Sequence, residues 1–386
     1  MWFIFVFAGL ALLTIAGIFV RRRIGGSLRE LGVRERRIRA FRWVMGWLLW
    51  GFPLLMIVTV AVSVGLGRAT IPRFDGAVGA YALALPFLWT ALVVLQSLPW
   101  LLALEVVHVL ARRRSGAARA GRLRAYAVLA VVCTFAVYTP ARVIAERGDL
   151  RIRHHAVGQG SGPPFRIAFV ADVQQDVHTN GERAREVYAL VNAEHVDAVL
   201  SGGDWINTGP DDILSAAEAA GTLKSRLGTF SVRGDHEHFA YVDRDRSVRE
   251  VEQAMRAHGV AMLNNDVRWF DHHGKRIAVV FLNYNYIVRT DAKTIETLLS
   301  SVRDADYSIA VTHQLDDKLA AQLENKIDLI LGAHTHGGQV NPVVGLVHVP
   351  LARVETRYVD GRYQRGNTTV IITAGVGYSI FPVRYA

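Results

Sequence analysis

Cysteine is nearly absent: Cys133 is the single one in 386 residues, and it lies in an apolar run. No intramolecular disulfide can form, and cysteine usage carries no information about redox compartment. Internal repeats, discontinuous-helix patterns and low-complexity stretches are also missing, which removes the sequence signs of a transporter. Acidic residues are scarce in the first part of the chain, with 6 before Leu150 against 19 arginines, whereas the remainder carries 28 acidic and 25 basic residues. The formal charge of +10 therefore sits beside apolar runs. There it reads as a topology signal and not as a phosphate-binding patch, so no nucleic-acid partner is expected.

Hydrophobic residues are abundant at 51%, too many for an ordinary soluble chain. Four apolar runs, Trp2 to Val20, Trp43 to Leu66, Tyr81 to Leu104 and Ala125 to Val143, are long enough to cross a hydrocarbon core of about 30 Å at about 1.5 Å per residue. The first has no basic residues before its apolar core and no small-residue cleavage pattern after it, so it reads as a retained helix and not as a secretory signal. The expected organisation is a helical membrane anchor over residues 1–146 and a second domain over 150–386.

Orientation follows from the loops. Arg21, Arg22, Arg23, Arg29, Arg34, Arg36, Arg37, Arg39 and Arg42 separate the first two runs, and Arg112, Arg113, Arg114, Arg119, Arg122 and Arg124 the last two. The loop between the second and third runs has only Arg68 and Arg73, offset by Asp75. The positive-inside rule then predicts an inner or plasma-membrane protein whose second domain is extracytoplasmic. Glu105 and His108, near the end of the third run, read as interfacial polar residues in preference to an ion path.

After the anchor, short β-branched runs alternate with helical stretches, the pattern of an α/β domain. The expected strands are Leu150 to Ala156, Arg166 to Ala171, Ala198 to Ser201, Thr229 to Arg233, Arg276 to Leu282, Ser308 to Thr312, Leu329 to Leu331 and Thr369 to Ala374. Helices are expected over Glu182 to Glu194, Asp212 to Arg226, Ser247 to His258 and Ala292 to Ser300, with a Gly/Pro loop between Gly158 and Pro164.

Five successive apolar runs end in metal-ligand residue types. FVADVQ supplies Asp172 and Gln174, VLSGGDW supplies Asp204, and FSVRGDHE supplies Asp235 and His236. IAVTHQ supplies His313, and LILGAHTHGGQ supplies His334 and His336. Loops at the carboxyl ends of strands in an α/β sheet converge on one crevice, so ligands scattered along the chain can meet there. Each signal alone has a bland reading as a cap or a satisfied polar group. Five in order do not. Asp176, His178, Glu237 and His238 read as solvated loop residues, and Asn283 and Asn285 either orient substrate or cap their strand.

This series resembles the calcineurin-like metallophosphoesterase superfamily, whose pattern is DxH, GD, GNH, H and GHxH, each element after a strand. GAHTHGGQ, the preceding IDLIL and the terminal GVGYSIFPVRY are similar to its membrane-associated or exported bacterial branch. The resemblance implies a four-layer α/β/β/α sandwich with two metal ions at the sheet edge. It implies that Asp172, Gln174, Asp204 and His336 hold one ion and that Asp204, Asp235, His313 and His334 hold the other, with Asp204 bridging. It further implies a water shared by the ions that attacks phosphorus in line, and His236 as the donor to the phosphate or leaving group.

Two positions depart from the family pattern. Gln174 stands where it has histidine and Asp235 where it has asparagine. An amide oxygen is a harder and weaker ligand than imidazole, and an extra carboxylate strengthens cation binding, so manganese is the first expectation among divalent ions, with iron, zinc or magnesium as alternatives. The expected activity is hydrolysis of a phosphoester or pyrophosphate bond. A short link to the anchor makes a lipid-linked substrate in the bilayer the first to test. The alternative is a metal-binding receptor or scaffold that has lost turnover.

Overall fold

The computed structural model describes residues 2–65, 78–115, 117–146, 149–158, 162–379 and 381–385. The low-charge loop with Arg68, Arg73 and Asp75 falls outside the described residues, as does part of the Gly158–Pro164 loop. The chain divides into two compact units. One comprises residues 1–148, 340–349 and 383–386, and the other 149–339 and 350–382. The expected organisation, 1–146 and 150–386, places residues 340–349 and 383–386 in the second domain, whereas by compactness they group with the helices.

The helical unit contains α1 (Trp2–Glu30), α2 (Glu35–Gly65), α3 (Leu85–Ser115) and α4 (Ala117–Glu146). Among the described residues, three stretches are long and apolar enough to cross a membrane: Glu35–Val62, Gly79–Leu110 and Ala118–Glu146. The first expected span, Trp2 to Val20, lies in α1, and the side chains of residues 2–6 lie outside the described ones. Glu105 on α3 pairs with Arg23 of α1 at 3.2 Å and with Arg124 of α4 at 3.5 Å. It ties three helices together near the arginine-rich ends, in keeping with an interfacial ion pair.

The second unit is a four-layer sandwich. Its first sheet contains β1 (Ile167–Val170), β2 (Ala198–Ser201), β3 (Thr229–Ser231) and β4 (Val260–Met262), all parallel and in that order. The connecting helices are α5 (Gly181–Ala193), α6 (Ile213–Ala220) and α7 (Arg244–Ala257). Asn180 and Asp243 start α5 and α7 by accepting the Arg183 and Arg246 backbone N–H groups.

The second sheet draws on β5 (Asp266–His272), β6 (Lys275–Leu282), β7 (Tyr307–Thr312), β8 (Leu329–Gly332), β11 (Gly361–Arg365) and β12 (Thr368–Ile372). Its order is β11-β12-β8-β7-β6-β5, parallel through the centre and antiparallel at both edges. Helices α8 (Ala292–Ser301) and α9 (Asp317–Leu323) cover its outer face.

Strand periodicity decides which side each residue serves. In β6, Ile277, Val279 and Phe281 meet Leu200 and Val232 between the sheets, while Ala278, Val280 and Leu282 pack under α8 and α9. Burying a side chain such as Phe281 contributes about 1.5–3 kcal/mol. The strand expected over Leu150 to Ala156 does not form. That segment is extended, with Arg151 to Ala156 exposed, and Arg153 and His154 are drawn aside to Asp360 and Glu194. Strands β4, β5 and β11 and helix α9 were not anticipated. β5 and β11 are edge strands with one exposed face, too polar to read as apolar runs.

Candidate metal centre

Each expected ligand, and the expected proton donor His236, lies just beyond a strand of the two sheets: Asp172 and Gln174 after β1, Asp204 after β2, Asp235 and His236 after β3, His313 after β7, and His334 and His336 after β8. The structure brings six of them into two groups. Asp172, Asp204 and His336 form one, and Asp235, His313 and His334 the other, each with its ligand atoms within 4.8 Å of one another. Asp204 belongs to the first group and also reaches the second, with its Oδ2 3.4 Å from His313 Nε2. Gln174 Nε2 donates to that same Oδ2 at 3.1 Å.

The backbone around the site is strained where the expected ligands sit. Asp172 (φ 54°), Gln174 (45°), Asp204 (58°), His334 (77°) and His336 (50°) all occupy the left-handed region. That conformation costs on the order of 1–3 kcal/mol per non-glycine residue and persists only where its surroundings over-determine it. Backbone bonds do so here. Asp172 N–H donates to Gly203 O at 3.0 Å, Gln174 N–H to Asp204 O at 2.8 Å, and His334 N–H to Asp172 Oδ2 at 2.9 Å. Two glycines permit the close approach. A Cβ at Gly234 would collide with Asp204 Oδ1, and one at Gly375 would come within 2.6 Å of Asp172 Cβ.

Three histidines have one ring nitrogen committed to the protein and the other aimed inward. His313 Nδ1 donates to Gly202 O at 2.7 Å, leaving Nε2 3.3 Å from Asp235 Oδ2. His334 Nε2 donates to Glu355 Oε1 at 3.0 Å, leaving Nδ1 2.9 Å from Asp235 Oδ2. His236 Nδ1 donates to the Asn207 carbonyl, leaving Nε2 3.9 Å from Asp204 Oδ2. A second bond that fixes tautomer and ring direction is the usual support of a metal-binding imidazole.

The electrostatics run the same way. Burial pushes the Asp172 carboxyl up to about 6. Burial also opposes charge on His313, yet the Asp204 and Asp235 carboxylates hold its pKa up at about 10. Burial and the Asp204 charge raise Glu237 to about 7. A pocket that retains protons on buried imidazoles is one with excess negative charge to compensate. The donor set fits divalent cations: three carboxylates, three imidazoles and an amide, with Gln174 Oε1 buried and lacking a hydrogen-bond partner.

Several neighbours do more than the sequence reading assigned them. Glu237 is completely buried, and its carboxylate accepts the N–H groups of Asp204 (3.0 Å), Trp205 (2.8 Å) and Gly234 (2.6 Å), so it holds two ligand loops together and is not a solvated residue. Asp176 is buried and closes its own loop through His178 N–H and Thr179 N–H, and His238 is buried as well. Asn285 donates to Gly234 O at 3.3 Å and accepts from Ile287 and Val288 N–H at 2.8 Å, capping its strand while bracing the Asp235 loop. Tyr286 N–H donates to Asp235 Oδ1 at 2.6 Å. Glu355 was missed altogether. It closes a short 3-10 turn, Leu351–Val354, and no strand of the two sheets ends at it, so the sequence offers no signal for it.

The model of the calcineurin-like phosphoesterase family matches residues 165–338, which contain every one of the expected ligands. Residues 165–338 are a calcineurin-like phosphoesterase domain. Relatives agree. An uncharacterized metallophosphoesterase of Helicobacter pylori is 28% identical over 199 residues, 50% of this chain and 50% of that one. A transmembrane protein with metallophosphoesterase domain from Danio rerio is 24% identical over 231 residues, covering 58% and 51%. Phosphodiesterase YaeI of Escherichia coli is 26% identical over 236 residues, covering 60% and 83%. The match spans about half the length of the first two. Family and donor set together make this a metal-dependent phosphoesterase domain, and its ligand groups are suited to divalent metal ions.

Proposed function

We propose that the protein is a membrane-anchored hydrolase of phosphoester or pyrophosphate bonds that works with two divalent ions. One ion would be held by Asp172, Gln174, Asp204 and His336 and the other by Asp204, Asp235, His313 and His334. The observation that carries this reading is the pair of ligand groups with Asp204 reaching both. Ions bound there supply Lewis acidity toward phosphoryl oxygens and a water nucleophile at neutral pH.

The chain's own contribution is positional and acid–base. Glu237 and Gly234 hold Asp204 in place, and the Asp204 carboxylate in turn accepts the His236 N–H at 2.9 Å. His236 donates its Nδ1–H to the Asn207 carbonyl, so in its doubly protonated form it would present Nε2–H, the proton that hydrogen-bonds the phosphate or passes to the leaving oxygen and leaves the imidazole neutral. Manganese is the preferred ion in this reading, because an amide oxygen and three carboxylates form a harder set than the family pattern. The three apolar helices and the arginine-rich loops support an anchor in the inner or plasma membrane with the domain outside. A lipid-linked phosphodiester or pyrophosphate is then the substrate class nearest at hand.

The test is elemental analysis of the purified full chain, followed by hydrolysis of bis(p-nitrophenyl) phosphate and of phospholipid vesicles with Mn, Fe, Zn and Mg. About two ions per chain and turnover that falls at least a hundredfold in His236→Ala, with metal content unchanged, support an enzyme. Stoichiometric metal without turnover on any substrate supports a scaffold instead. Absence of bound metal would sink both.

A further inference from the structure

The helical unit includes a β-hairpin that no part of the phosphoesterase reading uses. Strands β9 (Val343–Val344) and β10 (Val347–His348) pair antiparallel around Gly345 and Leu346, with Gly345 at φ 67°. Strands of two residues have almost no stability of their own. The hairpin is instead fastened to the helices through Gln96 of α3, which is fully buried. Gln96 Nε2 donates to Thr139 Oγ1 of α4 at 3.0 Å and to Leu92 O at 3.1 Å. Its Oε1 accepts from Tyr385 Oη at 2.6 Å and from Val343 N–H at 3.4 Å. Tyr385 runs beside Val340, and both pack on Leu92 with Leu88 and Val143.

What the hairpin presents outward is apolar. Leu346 is 86% exposed and Val347 64%, with Val344 and Val349 exposed beside them. From Gly337 to Ala352 there is no Asp, Glu, Lys or Arg. Exposed strand edges in water are normally blunted by charge or proline at the edge, and an uncharged apolar tip marks a contact site. The position of the hairpin identifies what it contacts. It is attached at Gln96, within the apolar length Gly79–Leu110, and Gln96 is bonded in turn to Thr139 of Ala118–Glu146, about one turn before Arg142, whose guanidinium lies 5.7 Å from the Tyr385 ring at the charged end of that helix. Its open backbone edges exclude the dry hydrocarbon centre, leaving the boundary between headgroups and acyl chains.

We propose that the Val343–His348 hairpin is a membrane-contacting element of the anchor, with Val344, Leu346 and Val347 inserted among lipids and Gln96 as its attachment. The inference rests on the reading of α2, α3 and α4 as membrane spans. It can be tested in the full chain carrying Cys133→Ser and one added cysteine, Leu346→Cys, Val107→Cys on α3 or Val242→Cys in the phosphoesterase unit. Each is labelled with an environment-sensitive fluorophore and reconstituted in phosphatidylcholine/phosphatidylglycerol vesicles with or without doxyl-labelled lipid.

Quenching at Leu346 comparable to Val107, and at least twofold stronger than at Val242, is the expected result. Quenching at Val107 but not at Leu346 overturns the hairpin proposal and leaves the anchor standing. No quenching at Val107 overturns the anchor, and the proposal with it. Label-to-label self-quenching at Leu346 without lipid quenching identifies a second copy of the chain as the true contact and also overturns it. Val347→Cys repeats the measurement should the Leu346 label disturb folding.

Discussion

His334 donates from Nε2 to Glu355 Oε1 across 3.0 Å while its Nδ1 lies 2.9 Å from Asp235 Oδ2. Glu355 thus sets the direction in which the inner nitrogen points. Burial opposes its ionisation, but the His334 bond outweighs burial and holds the carboxyl below the usual range. Gln314 Nε2 gives it a second donor at 2.6 Å. Supporting partners of this kind typically contribute 10–100-fold to metal affinity or activity. Glu355→Ala is therefore expected to lower Mn affinity by about that factor, and Glu355→Gln, which keeps an acceptor, by less. Titrating metal into chelator-stripped variants checks the order, and equal affinities in all three proteins would contradict it.

Gln174 offers the one neutral oxygen donor among the seven expected ligands, and that oxygen is buried with no hydrogen-bond partner among the described residues. Replacing it with imidazole should move metal preference from Mn toward Zn or Fe, since softer nitrogen donors favour the later metals. Gln174→Ala should reduce bound metal from roughly two to roughly one per chain, because only one group loses a ligand. Elemental analysis after expression in defined metals gives the answer. Unchanged metal content and preference in both variants would show that residue 174 is not a ligand.

Gly234 is a packing requirement of the site. Any Cβ there meets Asp204 Oδ1 and its own loop backbone, neither of which can yield without moving a ligand. Gly234→Ala is expected to cost about 1–3 kcal/mol of stability and to abolish high-affinity metal binding. Thermal unfolding with and without Mn separates the two effects. Full metal-induced stabilisation in the variant would refute the second.

A pH dependence remote from the centre comes from Asp197. It accepts the Arg166 N–H at 2.9 Å and faces Arg226 Nε at 2.9 Å. Partial burial pushes its pKa up, but these two donors outweigh it and leave the folded value below the ordinary one. A depressed carboxylate contributes stability that is present above the unfolded pKa, about 3.9, and is lost as pH falls through the folded value. Asp197→Asn should therefore destabilise by roughly 0.5–1 kcal/mol at pH 7. As pH falls through the lowered folded value the difference from the parent protein should close. Urea midpoints across that range test it, and a deficit that persists undiminished in acid would point to packing instead.

The candidate ligands were legible because each follows a run of β-branched and aliphatic residues that can only be a buried strand, and strand ends in an α/β sheet share a crevice. β2 was read to the residue for that reason, and β6 and β7 to within one. Leu150 to Ala156 misled because alternation alone does not supply a neighbouring strand to pair with. Asp176, Glu237 and His238 were assigned to solvent because a charged residue in a loop normally is solvated, and only packing shows that Glu237 is enclosed by three backbone N–H donors.

By itself the sequence determined the class of molecule: apolar helices first, then an α/β domain whose strand ends carry the ligands. Local composition and period suffice for that, because burial of a strand or a membrane helix is written in the residues of that segment alone. The tertiary structure decided how six of the seven expected ligands divide into two groups, that Glu355 braces His334, and that residues 340–349 and 383–386 belong with the helices. Those outcomes depend on contacts between segments far apart in the chain, which no local pattern records.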